Sequence, residues 1–507
     1  MALAQVTGAV ISGVRGAMVR VEVEVSTGLP SVGVVGLPDA SVNESRWRAR
    51  SAIAAVGASW PNKRVTINLS PAEVRKLGAG LDLPIAIGVL MASEQLPGVD
   101  VSQTAFIGEL GLDGRLHRTG GALAGALAAR AAGMGRIIVP RDGAHDVSRV
   151  SGLGVYLARD LAQVLEILAG RDPGEESPAD ESPGDDQRAD LGDVRGHEQA
   201  RFALEVAAAG GHHIAMVGPP GVGKTLLAER LPGILPDLCE DDAVDVAAIA
   251  AVAGAPRPGP SFLRPPFQAP HHTASSAALL GAVHGARVAP GAVTLAHRGV
   301  LFLDEAPEFN RPALEGMRQP LEAGVIRLAR SGWSGLLPAA FQLVVAANPC
   351  PCGLRMGAGQ ECSCPPVALR RYAARLSGPL LDRIDIRLAM SRPTPRELAT
   401  DEPAETSSAV LARVIRARGL SRNRLSATPW STNGAVPAAE LRRRWPLAGP
   451  AADLLREAEH RAANLRGPDR VLRMSWTIAD LAGRAQPSRD DVARALTLRG
   501  AALAWAS

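Results

Sequence analysis

Long apolar runs, net charge and lysine are all scarce in this sequence. The longest apolar stretch, residues 83–92, is too short for a membrane-spanning helix, which needs about 20 residues. The first residues also lack the basic patch and apolar core of a signal peptide, because Gly8, Gly13 and Arg15 interrupt them. These absences predict a protein without a membrane anchor that works in the cytoplasm.

The formal net charge is only +4 over 507 residues, so total charge does not by itself indicate a nucleic-acid partner. The local distribution is uneven. Residues 171–190 are acidic and rich in proline, whereas arginine is dense in residues 413–424 and 441–445. These arginines fit either a solvated helix face or a surface that binds a polyanion, and the sequence leaves both open.

Lysine occurs only at positions 63, 76 and 224, although Lys and Arg together number 55. The composition therefore favours arginine wherever either cation would serve. Lys224 lies in a glycine-rich segment, where a compact ammonium that reaches phosphate oxygens is not interchangeable with a planar guanidinium. Its retention favours a phosphate-binding loop at this position.

Residues 218–225 have the sequence G-P-P-G-V-G-K-T, which is the P-loop pattern. The apolar run 214–217 precedes it and a helical pattern over 225–231 follows, as a P-loop requires. The glycines let backbone amides turn toward phosphates, and the helix presents its positive dipole end to them. The predicted nucleotide-binding residues are Gly218, Pro219, Pro220, Gly221, Val222, Gly223, Lys224 and Thr225, and Thr225 would also bind Mg²⁺.

Two further apolar runs end in polar side chains. Residues 299–303 lead to Asp304 and Glu305, and residues 341–347 lead to Asn348. Because ligands bind at the carboxyl ends of parallel strands, we expect these groups to share one crevice with Lys224. Asp304 would hold Mg²⁺ and Glu305 would polarise the attacking water. Asn348 would contact that water or the γ-phosphate, unless it only forms an Asn-Pro turn.

Phosphoryl transfer also benefits from a cation that a neighbouring subunit supplies. Arg383 is the first candidate for this role and Arg375 is the second. An internal salt bridge to Asp382 or Asp385 is the alternative for both arginines.

Cysteine and histidine cluster at two places. Four of the five cysteines are Cys350, Cys352, Cys362 and Cys364. A reducing compartment argues against disulfides, so this segment predicts either a structural zinc site or reduced thiols in a proline-rich loop. His271 and His272 lie between the P-loop and the strand that ends at Asp304 and Glu305. There they fit a metal site or, more simply, a turn or a subunit contact.

The domain organisation follows from these patterns. Residues 1–170 alternate short β-like runs with alanine-rich helical runs, which indicates an α/β domain. Residues 171–190 bury little apolar surface and are predicted to be a linker. Residues 191–395 form the nucleotide-binding core with a parallel sheet, and residues 396–507 are predicted to be a helical lid domain. The expected fold class is therefore α/β and multidomain.

Further segments carry a resemblance to a known family. They are A-P-H-H-T-A-S (269–275), L-A-H-R-G-V-L-F-L-D-E-A-P-E (295–308), F-Q-L-V-V-A-A-N-P-C-P-C (341–352), R-L-S-G-P-L-L-D-R-I-D (375–385), G-L-P-S-V-G-V-V-G-L-P-D (28–39), L-D-L-P-I-A-I (81–87) and V-L-R-M-S-W-T-I-A-D-L (471–481). With the P-loop they resemble the ComM/YifB family of Mg-chelatase-like AAA+ ATPases over nearly the whole chain.

The resemblance implies an ATP-hydrolysing ring, usually a hexamer, with ATP between subunits. Arg466 matches the lid arginine called sensor 2, although Asn464 and Pro468 depart from the usual flanking pattern. The N-terminal domain resembles the Lon-protease-like fold. The stretches where that fold carries its serine and lysine are here G-L-D-L-P (80–84) and G-G-A-L (120–123). We therefore expect a scaffold or a partner-binding surface and no peptidase activity.

Residues 325–340 are predicted to form a β-hairpin with Arg327, Arg330 and Trp333. Such arginines could follow phosphates while the indole stacks on a base, and an ordinary surface hairpin is the alternative. The resemblance implies a motor on branched or single-stranded DNA, as in ComM-type recombination during natural transformation. Two other functions stay open: a Mg-chelatase-like or chaperone-like motor that remodels a protein partner, and an ATP-gated assembly switch.

Overall fold

The computed structural model describes most of the chain. The described residues are 2–12, 14–71, 76, 78–142, 147, 150–173, 189–255, 257, 259–284, 287–330, 333–355, 362–376, 378–394, 397, 404–461 and 466–500. Within these ranges no helix combines the length and the apolar character that a membrane crossing requires. Most of the predicted linker, residues 171–190, lies outside the described residues.

The N-terminal part is built on a mixed sheet. Its strands are β1 (Ala2–Ser12), β2 (Arg15–Ser26), β3 (Ser31–Val35), β4 (Arg64–Ser70), β5 (Thr104–Phe106), β8 (Arg136–Pro140) and β9 (Gly154–Ala158), and a separate ribbon holds β6 (Glu109–Leu110) and β7 (Leu116–His117). The seven strands lie in the order β3-β4-β2-β1-β5-β8-β9. Strand β2 pairs antiparallel with β1 and β4, and the other neighbours are parallel.

Alternation and capping explain these elements. In β2 the valines at 19, 21, 23 and 25 are buried while the residues between them are not, the period of two that a strand with one face on the core requires. Four helices flank the sheet: α1 (Ala40–Ala55), α2 (Asp82–Ala92), α3 (Ala122–Ala131) and α4 (Leu161–Leu168). The carboxylate of Asp39 caps α1 by accepting from the Val42 amide at 2.8 Å.

A five-stranded parallel sheet forms the central part. Its strands are β10 (Ile214–Val217), β11 (Phe267–Gln268), β14 (Val300–Leu303), β17 (Gln342–Ala347) and β18 (Ile386–Ala389), in the order β11-β14-β17-β10-β18. All four neighbouring pairs are parallel, and β10, β14 and β17 are buried throughout. Such apolar strands are typical of a parallel sheet with both faces covered.

Short helices and two hairpins surround this sheet. The helices are α5 (Glu198–Gly210), α6 (Lys224–Arg230), α7 (Glu240–Val252), α8 (Ser276–Leu280), α9 (Ala292–Leu295), α10 (Arg311–Gly316), α11 (Arg318–Ala323), α12 (Pro366–Ala373) and α13 (Gly378–Leu381). One hairpin joins β12 (Ala282–His284) to β13 (Arg287–Ala289). The other joins β15 (Val325–Arg330) to β16 (Trp333–Pro338), as predicted for residues 325–340.

The C-terminal part is helical, which confirms the expectation from the sequence. Its helices are α14 (Ser407–Leu425), α15 (Ala438–Arg444), α16 (Gly449–Arg461), α17 (Arg466–Leu481) and α18 (Arg489–Gly500). Their apolar faces join one buried cluster with the central sheet, in which Val414 and Trp476 accompany Ile214 and Ile386. The C-terminal helices therefore complete the core of the parallel sheet.

Arginines of the dense segment 413–424 make internal bonds. The Arg413 guanidinium binds Glu205 at 2.6 Å and also pairs with Glu405. Arg418 donates to the Ala208 carbonyl at 2.9 Å, and burial lowers its pKa to about 10. Both side chains connect α14 to neighbouring segments of the fold. For these two arginines, neither a solvated helix face nor a polyanion-binding surface describes the arrangement.

The N-terminal sheet is joined to the central part by buried contacts. Helix α3 of the first part and α7 of the second share one apolar cluster, which contains Leu123 and Ala126 on one side and Val244 and Ala247 on the other. At its edge, Arg130 pairs with Asp241 at 3.2 Å.

Candidate functional site

The glycine loop connects the buried strand β10 to helix α6. Gly221 and Gly223 have φ angles of +74° and +92°, in the left-handed region that glycine adopts at little cost. The chain therefore turns sharply and enters α6 at Lys224. This strand-to-helix turn presents backbone amides and the helix N-terminus to one point, the arrangement that binds phosphates.

The ammonium group of Lys224 lies between the loop and the end of β17. Its Nζ donates to the carbonyl oxygens of Gly218 and Pro219 at 2.7 and 2.9 Å, and to Oδ1 of Asn348 at 3.1 Å. Burial lowers the pKa of Lys224, and the nearby charges of Asp304 and Glu305 oppose that shift. The structure thus brings the predicted phosphate-binding cation and Asn348 into direct contact.

Thr225 and Asp304 also meet in this crevice. The threonine hydroxyl donates to Oδ2 of Asp304 at 2.8 Å, and the other carboxylate oxygen accepts from the Glu305 amide at 2.9 Å. A hydroxyl on the loop and a carboxylate after a neighbouring strand are the two protein ligands that hold Mg²⁺ in P-loop ATPases. The residues present therefore fit a bound Mg²⁺–ATP.

Glu305 has a partner that the sequence did not reveal. Its Oε2 lies 3.3 Å from Nδ1 of His272, and its backbone φ of +49° is unusual for a residue with a side chain. Strands β11 and β14 are parallel with Gln268 opposite Leu301. His272 lies four residues after Gln268, and Glu305 lies four residues after Leu301. The register of the two strands therefore places both side chains at the same edge of the sheet.

Tyr372 is a second residue that sequence reasoning missed. Its buried hydroxyl interacts with the backbone amide of Asn348, and burial together with the nearby carboxylate of Glu308 raises the pKa of the phenol. The tyrosine belongs to α12, beyond the cysteine-rich segment. Since no local pattern marks it, only the folded arrangement places it behind Asn348.

The two candidate arginines pair with residues other than the predicted ones. Arg375 binds Glu308 and donates to the Pro307 carbonyl at 3.2 Å, while Arg383 binds Glu322 and the Pro379 carbonyl. Glu308 and Glu322 are thus the ion-pair partners that the structure describes for the two arginines. Both ion pairs lie at partly exposed positions of the central part.

Asp385 instead joins the sheet to the C-terminal helices. Its Oδ2 lies 2.9 Å from Nδ1 of His212, whose Nε2 is 2.8 Å from the Thr477 hydroxyl, and its Oδ1 lies 3.1 Å from Nη1 of Arg470. Burial raises the pKa of Asp385, but the hydrogen bond to His212 and the charge of Arg470 outweigh burial and hold it well below its usual range. Arg466 begins α17, and its side chain lies outside the described residues.

Four cysteine sulfurs come together after β17. The Sγ atoms of Cys350 and Cys352 are 3.3 Å apart, and each lies 3.7 Å from Sγ of Cys362. With Cys364, all four lie within 4.8 Å of one another. A disulfide would need about 2.05 Å. Metal–sulfur bonds of about 2.3 Å in a tetrahedron place the sulfurs roughly 3.8 Å apart, so these residues fit a tetrahedral metal ion such as zinc.

The hairpin β15–β16 carries one described arginine into solvent. Arg327 is exposed, and its backbone amide donates to Oε1 of Gln319 at 3.4 Å. Leu336 on the opposite strand is 54% exposed. The side chains of Arg330 and Trp333, predicted to contact DNA, lie outside the described residues.

Three family models match this chain in succession. "Subunit ChlI of Mg-chelatase" matches residues 21–143, "Magnesium chelatase, subunit ChlI" matches 190–398, and "Magnesium chelatase, subunit ChlI C-terminal" matches 404–499. The second range contains the glycine loop, Asp304, Glu305, Asn348 and the four cysteines. The similarity thus extends across all three parts of the structure.

Several curated proteins are similar over almost their full length. An uncharacterized protein of Mycobacterium tuberculosis is 45% identical over 98% of this chain and 99% of its own. The uncharacterized protein YifB of Escherichia coli is 40% identical over 92% and 91%. The competence protein ComM of Haemophilus influenzae is 37% identical over 98% of each chain.

Proposed function

We propose that this chain, which belongs to the ComM/YifB family of Mg-chelatase-like AAA+ ATPases, uses ATP hydrolysis to move branched or single-stranded DNA. Membership of the family makes it an AAA+-type ATPase and implies ATP and Mg²⁺ as cofactors. The observation that carries the proposed site is the hydrogen bond from Thr225 to Asp304, because it joins the two Mg²⁺ ligands that this chemistry requires.

The proposed hydrolysis divides the work among the residues of the crevice. Lys224 and the amides of the loop bind the phosphates, and Thr225 with Asp304 holds Mg²⁺. Glu305 accepts the proton of the attacking water, and Asn348 orients that water or the γ-phosphate. When bound, Mg²⁺ would offset the negative charge that develops on the transferred phosphoryl group.

We propose that a neighbouring copy completes the site. Arg383, with Arg375 as the second candidate, would project toward the nucleotide of the next subunit in a homo-oligomer, most simply a hexameric ring. Arg466 on α17 would contact the nucleotide from the lid. Support for an arginine in trans comes from the surface position of these pairs, since the side chains of Arg375, Glu308 and Glu322 are 50%, 40% and 64% exposed.

The DNA part of the proposal rests on the hairpin β15–β16 and on the name of one relative. Arg327 is exposed on a hairpin that follows α11, between the strand that ends at Asp304 and the strand that ends at Asn348. An exposed cation there can follow a phosphate backbone without reading its sequence. The relative from Haemophilus influenzae is named "Competence protein ComM", and the resemblance of the sequence to that family implies work on DNA.

A protein partner is the second candidate function. The N-terminal part exposes large apolar side chains, with Leu29 88%, Leu37 57% and Trp47 56% accessible. A contiguous patch of exposed apolar side chains marks a protein interaction site, and we propose these three as its members. We propose that residues 1–170 form a Lon-protease-like domain that binds a partner, followed by a linker at 171–190, the ATPase core at 191–395 and the lid at 396–507. An ATP-gated assembly switch is the alternative without work on a substrate.

We further propose that Cys350, Cys352, Cys362 and Cys364 bind one structural zinc ion. The separations of the sulfur atoms support this set of ligands. Four thiolates favour zinc over Mg²⁺, which prefers oxygen ligands.

One experiment separates the proposed functions. ATP turnover of the purified full chain is measured alone and with single-stranded, branched and duplex DNA, and strand displacement is followed on the branched substrate. Stimulation by branched or single-stranded DNA together with strand displacement supports the motor. Stimulation by a protein partner alone would overturn the DNA proposal, and negligible turnover under every condition would favour the switch.

A further inference from the structure

The four-cysteine cluster lies against the glycine loop of the nucleotide site. The chain leaves β17 at Ala347 and passes Asn348 before it reaches the buried Cys350. Asn348 accepts the hydrogen bond from Lys224. The segment from 348 to 353 therefore starts at a residue of the nucleotide crevice and continues directly into the cysteine cluster.

Gly353 makes the second contact between the cluster and the loop. A Cβ atom at this position would lie 2.7 Å from Cδ of Pro220, a distance that real Cβ atoms essentially never show. Its φ of +78° also favours glycine. Only the absence of a side chain lets the segment approach the glycine loop this closely.

The sulfur atoms also receive backbone hydrogen bonds. The amide of Arg355 donates to Sγ of Cys350 at 3.4 Å, and the amide of Leu354 donates to the Cys352 sulfur. Amide donors of this kind orient sulfur ligands and hold them in place around a metal. The polypeptide after Gly353 thus folds back over the same sulfurs that the metal would hold.

We propose that a metal ion bound by Cys350, Cys352, Cys362 and Cys364 fixes the segment 348–353 against the glycine loop, so that the cysteine site sets the affinity for nucleotide. This inference rests on the zinc binding proposed above. The ion would connect Cys350 and Cys352 to Cys362 and Cys364. This connection would hold in place the segment 348–353, which touches the nucleotide site at Asn348 and Gly353. In this proposal the metal is structural, and the segment 348–353 positions the glycine loop.

The test compares the full chain as purified, after chelation and after addition of Zn²⁺. Metal content is measured by atomic emission, folding by circular dichroism, and nucleotide affinity with a fluorescent ADP analogue in the absence of DNA. We expect one zinc per chain, about tenfold weaker nucleotide binding after its removal, equal to about 1.4 kcal/mol, and recovery with Zn²⁺. Unchanged affinity in folded, metal-free protein would overturn the inference, as would a chain that binds no metal.

Variants separate the metal from the thiols. Cys364→Ser should lose zinc and affinity together, whereas Cys364→His should keep both because imidazole also binds zinc. Cys239→Ser, at the exposed fifth cysteine, is the control and should change neither. If the serine variant fails to fold, Gly353→Ala decides the question: it should keep zinc and still bind nucleotide more weakly. Wild-type affinity in that variant would contradict the proposed contact.

This result is independent of the DNA proposal. Nucleotide affinity is measured without DNA, so a failure of DNA to stimulate turnover leaves the inference intact. Loss of binding in Lys224→Ala with full zinc content would show that the nucleotide site and the metal site are distinct.

Discussion

Nδ1 of His272 lies 3.3 Å from Oε2 of Glu305, the carboxylate that we assign to the attacking water. Both side chains are partly accessible, and the ring of the adjacent His271 lies against that of His272 at an angle of 33°, with ring centroids 4.1 Å apart. His271 itself bonds to the Thr273 hydroxyl at 2.8 Å. The two neighbouring histidines therefore have different partners and make a matched pair for mutation.

We expect His272→Ala to lower kcat for ATP about tenfold with little change in KM, because Glu305 loses the group that orients it while the phosphate contacts remain. His272→Asn should recover part of the loss, since its amide can donate to the same carboxylate. His271→Ala should stay within about twofold of wild type. Equal losses for both alanine variants would point to a general disturbance of the loop.

Glu305→Gln should retain nucleotide binding and lose turnover by about 100-fold or more, because the amide cannot accept the proton of the attacking water. Lys224→Ala should lose binding itself, since its ammonium is the cation of the loop. Equilibrium binding and steady-state hydrolysis distinguish the two effects. Unchanged turnover of Glu305→Gln would remove Glu305 from its assigned role.

Mixing two inactive variants tests the arginine in trans. A ring that contains Arg383→Ala and Glu305→Gln subunits should recover ATP turnover, because some sites then combine an intact Glu305 with an intact neighbouring Arg383. The control is Glu322→Ala, which removes the internal partner and keeps the cation. The same mixture with Arg375→Ala ranks the two candidates, and an absence of recovery for both would assign them structural roles.

Arg327→Ala should weaken stimulation by DNA and reduce the salt dependence of DNA binding by a slope of about 1, while basal hydrolysis is retained. The side chain contacts no residue of the nucleotide crevice among the described interactions. Arg115→Ala, whose side chain is 75% exposed in the N-terminal part, is the matched control for loss of one surface arginine. DNA titrations at two or more salt concentrations provide the measurement.

The burial of His297 leads us to expect that the protein loses stability in acid. The side chain is 7% exposed, its Nδ1 accepts from the Ala340 amide at 3.0 Å, and burial, aided by Arg298, lowers the pKa to about 4. Since the unfolded chain takes up this proton near pH 6.5, stability is full above that pH and falls as the pH drops toward 4. Between pH 7 and pH 5 the loss should reach about 2 kcal/mol.

Urea denaturation at both pH values measures this difference. His297→Asn should reduce it, because the amide oxygen of asparagine can accept from Ala340 and does not titrate. An identical pH dependence in the variant would assign the acid sensitivity to other groups.

The parts of the site that one continuous segment encodes could be predicted from the sequence. The apolar strand, the glycines and the helix around Lys224 are local, as are the strands that end at Asp304 and Asn348. The contact of His272 could not be predicted, since β11 is only two residues long and its pairing depends on a distant strand. Tyr372 likewise reaches Asn348 across a segment without periodic pattern.

Charge was the least informative part of the sequence. The arginines of residues 413–424 resemble a surface stripe when counted along the chain. In the fold, Arg413 and Arg424 pair with Glu205 and Asp480, which lie far from them in sequence. Such partners depend on how helices dock, and spacing along one helix carries no information about them.

The apolar contact between α3 and α7 has a mechanical consequence. Helix α7 belongs to the ATPase core, and its side chains are buried together with those of α3 beneath the N-terminal sheet. Protein interiors are close-packed, so a buried contact of this kind transmits displacement and resists deformation. A tilt of the central part during turnover would therefore carry the N-terminal part with it through this contact.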